Sequence, residues 1–219
     1  MRHFLHEVSG LNIYETDEEK VEAIRAWWKE NGLSVAGGLV IGLAAVFGWR
    51  AWVDHQESIA QQASAAFEQL VTTVESGNAA AARSQAALLM EKHGDTAYGA
   101  LTQLLLARVE ITNHQPVAAR QALEKAMAQA PEPGLAKVAA LRLARLLIAQ
   151  GEVDAAAALI AKQDQGGAFA ADFAALKGDI ALAGGRISEA RAAYDQAIAQ
   201  GAANVELLQL KVENLPPAG

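Results

Sequence analysis

The chain has 219 residues, 18 basic against 25 acidic for a net charge of −7, and is 52% hydrophobic but only 5% aromatic. An acidic surface without a basic stripe suits neither nucleic acid nor anionic lipid, and the lack of cysteine excludes disulfides and thiolate metal sites. Alanine dominates the apolar count and Val, Ile and Thr never alternate with period two, which argues against sheets and for an all-α core built by close helix approach.

Residues 1–30 read as a cytoplasmic segment with a short amphipathic helix. Residues 1–14 carry no clear pattern. Thr16 and Glu19 form a capping box, and Asp17, Glu18 and Glu19 sit where a helix N-terminus favours acids. Val21, Ile24 and Trp28 share one face, and Asn31-Gly32 is the expected stop.

Residues 31–53 read as a transmembrane anchor. Nineteen consecutive uncharged residues run from Asn31 to Trp49. At about 1.5 Å per residue they cover roughly 28 Å, close to the hydrocarbon thickness of a bilayer. Trp27 and Trp28 precede the run; Trp49, Arg50 and Trp52 close it, as membrane-interface anchors do. Arg2, Lys20, Arg25 and Lys29 lie before the run, and only Arg50 follows it before Arg83, so the N-terminus is expected inside and the rest outside. The leading segment is too long and too acidic for a signal peptide, and the small-x-small sequence Ser58-Ile59-Ala60 lies too far on, so the anchor is expected to stay uncleaved. Gly38, Gly42 and Ala45 place small residues on one face, where another membrane helix could approach closely.

Residues 54–219, about 165 residues and enough for one well-buried domain, read as a helical array. Short punctuations divide it at Ser76-Gly77-Asn78, Lys92-His93-Gly94-Asp95, Asn113-His114-Gln115-Pro116, Pro131-Glu132-Pro133-Gly134, Gln150-Gly151, Gln165-Gly166-Gly167, Gly184-Gly185 and Gln200-Gly201. Gly77, His114, Gly151 and Gly185 mark the turn inside each helix pair and are 37, 37 and 34 residues apart, the period of tetratricopeptide repeats. The expected repeat-packing positions are Ala119, Leu123 and Ala126, then Ala144, Gly151 and Ala156, then Gly178, Gly185, Ala190, Tyr194 and Ala197. The first unit, around Ala66, Leu70, Gly77 and Ala82, is degenerate. The fold class is thus one N-terminal transmembrane helix followed by a tetratricopeptide-like solenoid.

The residues offer little chemistry. The five histidines, His3, His6, His55, His93 and His114, are scattered without metal-ligand spacing, and His93 and His114 are expected in exposed turns. There is no nucleophile elbow, phosphate loop or zinc-protease motif. Glu152/Asp154 and Asp172/Asp179 are better read as solvated charges than as an acid–base pair. No catalytic, cofactor or metal residue is expected, and binding or scaffolding is the expected role.

Ile13-Tyr14-Glu15 and the block Asp17-Glu18-Glu19-Lys20-Val21-Glu22-Ala23-Ile24-Arg25-Ala26-Trp27-Trp28-Lys29-Glu30-Asn31-Gly32 resemble the N-terminus of the YfgM family, ancillary subunits of the SecYEG translocon in Gram-negative bacteria. Gly48-Trp49-Arg50-Ala51-Trp52, Tyr98-Gly99-Ala100-Leu101, Leu104-Leu105-Leu106-Ala107, Leu141-Arg142-Leu143-Ala144-Arg145 and Gly178-Asp179 are similar as well. The resemblance covers residues 13 to 215. It implies a single-pass bacterial inner-membrane protein with periplasmic repeats, whose partners are SecYEG, the periplasmic chaperone PpiD and emerging polypeptides. The high alanine content and residues 1–12 depart from the family pattern. The expected function is a non-enzymatic translocon accessory; the alternative is a periplasmic scaffold for cell-envelope assembly or division.

Overall fold

The computed structural model describes residues 17–216. These form helices and no strand: α1 (Asp17–Glu75), α2 (Ala79–His93), α3 (Ala97–Thr112), α4 (Pro116–Gln129), α5 (Pro133–Ala149), α6 (Val153–Gln163), a 3-10 turn (Gly167–Phe169), α7 (Ala170–Ala183), α8 (Ile187–Ala199) and α9 (Val205–Glu213). The chain divides into two compact units between Glu57 and Ser58. Arg2, Ile13-Tyr14-Glu15 and the Thr16 half of the capping box lie outside the described residues.

The helix stop expected at Asn31-Gly32 is not there; α1 runs through it. Asn31 Nδ2 donates to the Trp27 carbonyl (3.1 Å) within the helix, and the Trp28 indole packs beside Gly32. A glycine inside a helix costs only about 1 kcal/mol. No proline follows to end the helix, and an apolar segment that satisfies its own backbone groups is the form lipid demands.

In the second unit the end of α1 pairs with α2, α3 with α4, α5 with α6 and α7 with α8. Gly77, His114, Gly151 and Gly185 stand at these four turns, all with positive φ (76°, 57°, 79° and 73°). In three of them the next backbone N–H reaches five residues back, as in Gln115 to Glu110, Glu152 to Leu147 and Arg186 to Ala181 (2.8 to 2.9 Å). That bond pattern closes a helix through one left-handed residue, usually glycine. His114 is the one non-glycine described residue that adopts it.

Counting from these turns exposes a packing rule. Five positions after each turn stands an alanine, Ala82, Ala119, Ala156 and Ala190, all at most 1% exposed. Seven before and nine after the turn stand the pairs Leu70 and Ala86, Ala107 and Leu123, Ala144 and Ile160, and Gly178 and Tyr194, all buried. Where the first helix carries a large residue the second carries a small one, and the reverse. A close-packed interior holds nearly constant volume at each contact, so the two sizes must trade. The last pair is the extreme: a Cβ on Gly178 would run into the Tyr194 ring. The degenerate first unit obeys the rule with the sizes exchanged.

Two polar clusters join neighbouring helices. Arg83 of α2 grips Glu110 of α3 through two hydrogen bonds of 2.7 Å. Those bonds hold the Glu110 carboxyl below its ordinary range against the opposing effect of burial. Tyr194 of α8 donates to Asp179 of α7 (2.7 Å), whose same oxygen accepts from Lys211 of α9 (2.5 Å). Burial of the phenol, and then Asp179, raise the Tyr194 pKa. The Lys211 ammonium also lies 5.4 Å from the Tyr194 ring centre, so α9 is fastened to the last pair as a terminal cap.

Candidate functional site

The first unit presents an apolar helix that no other described residue covers. One window of α1 has mean hydropathy 1.8 and is wholly unburied, long and apolar enough to cross a membrane. Leu39, Val40, Ile41, Val46 and Phe47 are all more than half exposed. Trp27 and Trp28 lie at one end of this stretch with ring centres 6.4 Å apart, and Trp49 and Trp52 at the other, 5.2 Å apart. A Cβ on Gly38 or Gly42 would meet no atom within 4 Å, and Ala45 is exposed beside them. So much bare apolar surface is unstable in water by tens of kcal/mol at about 25 cal/mol per Å² and calls for a lipid or protein cover.

The second unit presents a face built from the first helix of each pair. Three positions before each turn stand Val74, Ile111, Ile148 and Leu182, and each lines a cavity of this face. Between α3 and α5 lies a groove of about 430 Å³, floored by Leu104, Ala107, Leu123 and Leu146. Arg108, Arg142 and Arg145 stand around it, exposed. The next cavity, between α5, α7 and α9, shares Arg145 and is bordered by the Asp179–Lys211 pair. Leu207 and Leu210 of α9 extend the apolar surface and are just over half exposed.

The sequence-derived packing positions fall into two groups. Ala119, Leu123, Ala126, Ala144, Ala156, Ala190, Tyr194 and Ala197 are fully buried, and Gly178 abuts the Tyr194 ring. Gly151 and Gly185 do not pack at all. They are exposed, with open space where a Cβ would stand, and serve only the left-handed turns. His114 is exposed as expected, but His93 is half-buried with Nδ1 out of contact with solvent or any partner. Of the four acids Glu152, Asp154, Asp172 and Asp179, two are engaged in pairs: Glu152 accepts from Arg120 (2.9 Å) and Asp179 from Tyr194 and Lys211. The groove arginines were missed, although their signal is plain afterwards, since Arg108 and Arg145 share one register, six residues before the turn.

A family model described as a tetratricopeptide repeat-like domain matches residues 25–217. The chain is 32% identical over 207 residues to the "Ancillary SecYEG translocon subunit" of Escherichia coli K12, covering 94% of this chain and 99% of that one. Relatives of the same name in Haemophilus influenzae and Aggregatibacter actinomycetemcomitans are 30% and 34% identical, each over 91% of this chain and 97% of theirs. The chain belongs to this family. The match extends through both units, so the Trp-flanked helix and the repeats are inherited together. No solved structure matches the chain.

Proposed function

We propose that the chain is a non-enzymatic, single-pass inner-membrane accessory of the SecYEG translocon. The observation that carries this is one continuous likeness, over 91–94% of the chain, to relatives named as translocon subunits. The bare apolar helix and the grooved repeat unit supply the two physical requirements, a means of staying in the bilayer and a surface for protein. Four basic residues before the span against one directly after it favour a cytoplasmic N-terminus and periplasmic repeats. A tether beside the channel raises the effective concentration of the repeat surface toward a neighbour such as the chaperone PpiD or toward emerging polypeptides. The span itself can dock: Gly38, Gly42 and Ala45 leave a shallow strip where a second helix can pack closely. Photocrosslinkers placed one at a time along residues 33–48 test the proposal. Adducts to SecY, SecE or SecG confined to the glycine side of the helix are expected; adducts to envelope-assembly proteins alone would replace the translocon with another partner.

A further inference from the structure

We propose that the groove between α3 and α5 binds a segment of a partner protein in which carboxylates flank a large apolar side chain. This rests on the reading of the repeats as a protein-binding surface and gives that surface its chemistry. The apolar side chain enters the cavity over Leu104, Leu123 and Leu146, beside the half-exposed Ile111. The carboxylates pair with Arg108, Arg142 and Arg145.

Charge is the deciding observation. Elsewhere in the unit Arg83, Arg120 and Arg186 each hold a carboxylate, and Arg191 stands singly on α8, away from the apolar cavities. Among the described residues the three groove arginines hold none, and no acid lines the groove. Glu110, two residues past Arg108 on α3 and so on a different face of that helix, is already taken by Arg83. In a chain with seven more acids than bases, three uncompensated guanidinium groups around one apolar cavity form a local positive field. Guanidinium suits the planar, two-oxygen geometry of a carboxylate, and a concave apolar floor with a few convergent polar groups is the usual form of a specific site. A nucleic acid would meet the acidic remainder of the unit and has no use for the apolar floor.

The test uses the purified full chain in mild detergent, panned against a library of short random peptides. Selected peptides should be rich in Asp or Glu next to Leu, Ile, Phe or Met. Their affinity, read by fluorescence anisotropy, should fall at least about tenfold with Arg142→Gln/Arg145→Gln, about 1.4 kcal/mol, and should weaken as salt rises. Arg191→Gln, which removes an exposed charge on α8, should leave it unchanged. Selection of no peptide, selection without acids, equal binding by the double variant, or capture of anionic vesicles in place of peptides would each overturn the proposal. Copurification of the same double variant with SecYEG separates the two claims. If it keeps SecYEG while losing the peptides, the groove serves another partner of the stated chemistry. If wild-type chain never copurifies with SecYEG, the translocon reading fails and the groove is judged on its peptides alone.

Discussion

Gly178 and the pair Gly38 and Gly42 are the same residue used in opposite ways. Gly178 is small because Tyr194 of the same chain already fills the space beside it. Gly38 and Gly42 face open space. In the last three helix pairs, smallness is answered by a large partner nine residues past the turn, and the contact closes within the unit. In α1 no described residue answers it. On the proposed membrane reading, that open strip is where a second helix would pack closely.

The sharpest way to break this comparison is to remove the answering residue. Tyr194→Ala empties a buried site and strands the Asp179–Lys211 pair, and should cost about 3–5 kcal/mol in denaturation of the full chain in mild detergent. Gly178→Val attacks the same contact by overfilling it and should cost about 1–3 kcal/mol. Losses well under 1 kcal/mol for both would mean that volume is not conserved across the paired helices.

A smaller effect is expected at the Arg83–Glu110 contact. Arg83→Ala leaves a buried carboxylate without its partner, so the midpoint should fall at neutral pH, but less than for Tyr194→Ala. The folded Glu110 carboxyl titrates below its unfolded value. Its contribution is therefore present above the ordinary carboxylate range and is lost as pH falls through the lowered folded value. Wild type and variant should converge in stability in acid; a gap that widens below the carboxylate range would contradict the pairing.

The smallest effect lies at the turns. His114 occupies a left-handed conformation that its three counterparts give to glycine. His114→Gly should raise stability by about 0.5–1 kcal/mol through relief of backbone strain, partly offset by unfolded-state entropy. Loss of stability would mean that the imidazole makes a contact worth more than the strain.

Much of the second unit was legible because its signals are local. Turn spacing gave the pairing, and the alanines five after each turn marked the closest helix contacts without any tertiary information. Gly151 and Gly185 stand at the turns that their spacing predicts but not among the packing positions, because a repeat consensus merges two reasons for glycine, a left-handed turn and a close approach, which only φ and neighbouring atoms separate. Asn31-Gly32 misled because its breaking tendency is weak against a long helical context. Arg108, Arg142 and Arg145 were not singled out because a charge on a helix looks like any other solvated charge until its face is known. Register from the turn supplies that face.

The central claim is that the answering surface for the span belongs to the translocon. Copurification from mild detergent measures this directly, comparing wild type with Gly38→Leu/Gly42→Leu, which keeps the helix apolar but fills the strip. The account predicts SecY with the wild-type chain and several-fold less with the double variant, at equal membrane abundance. Absence of SecY from the wild-type preparation would contradict it.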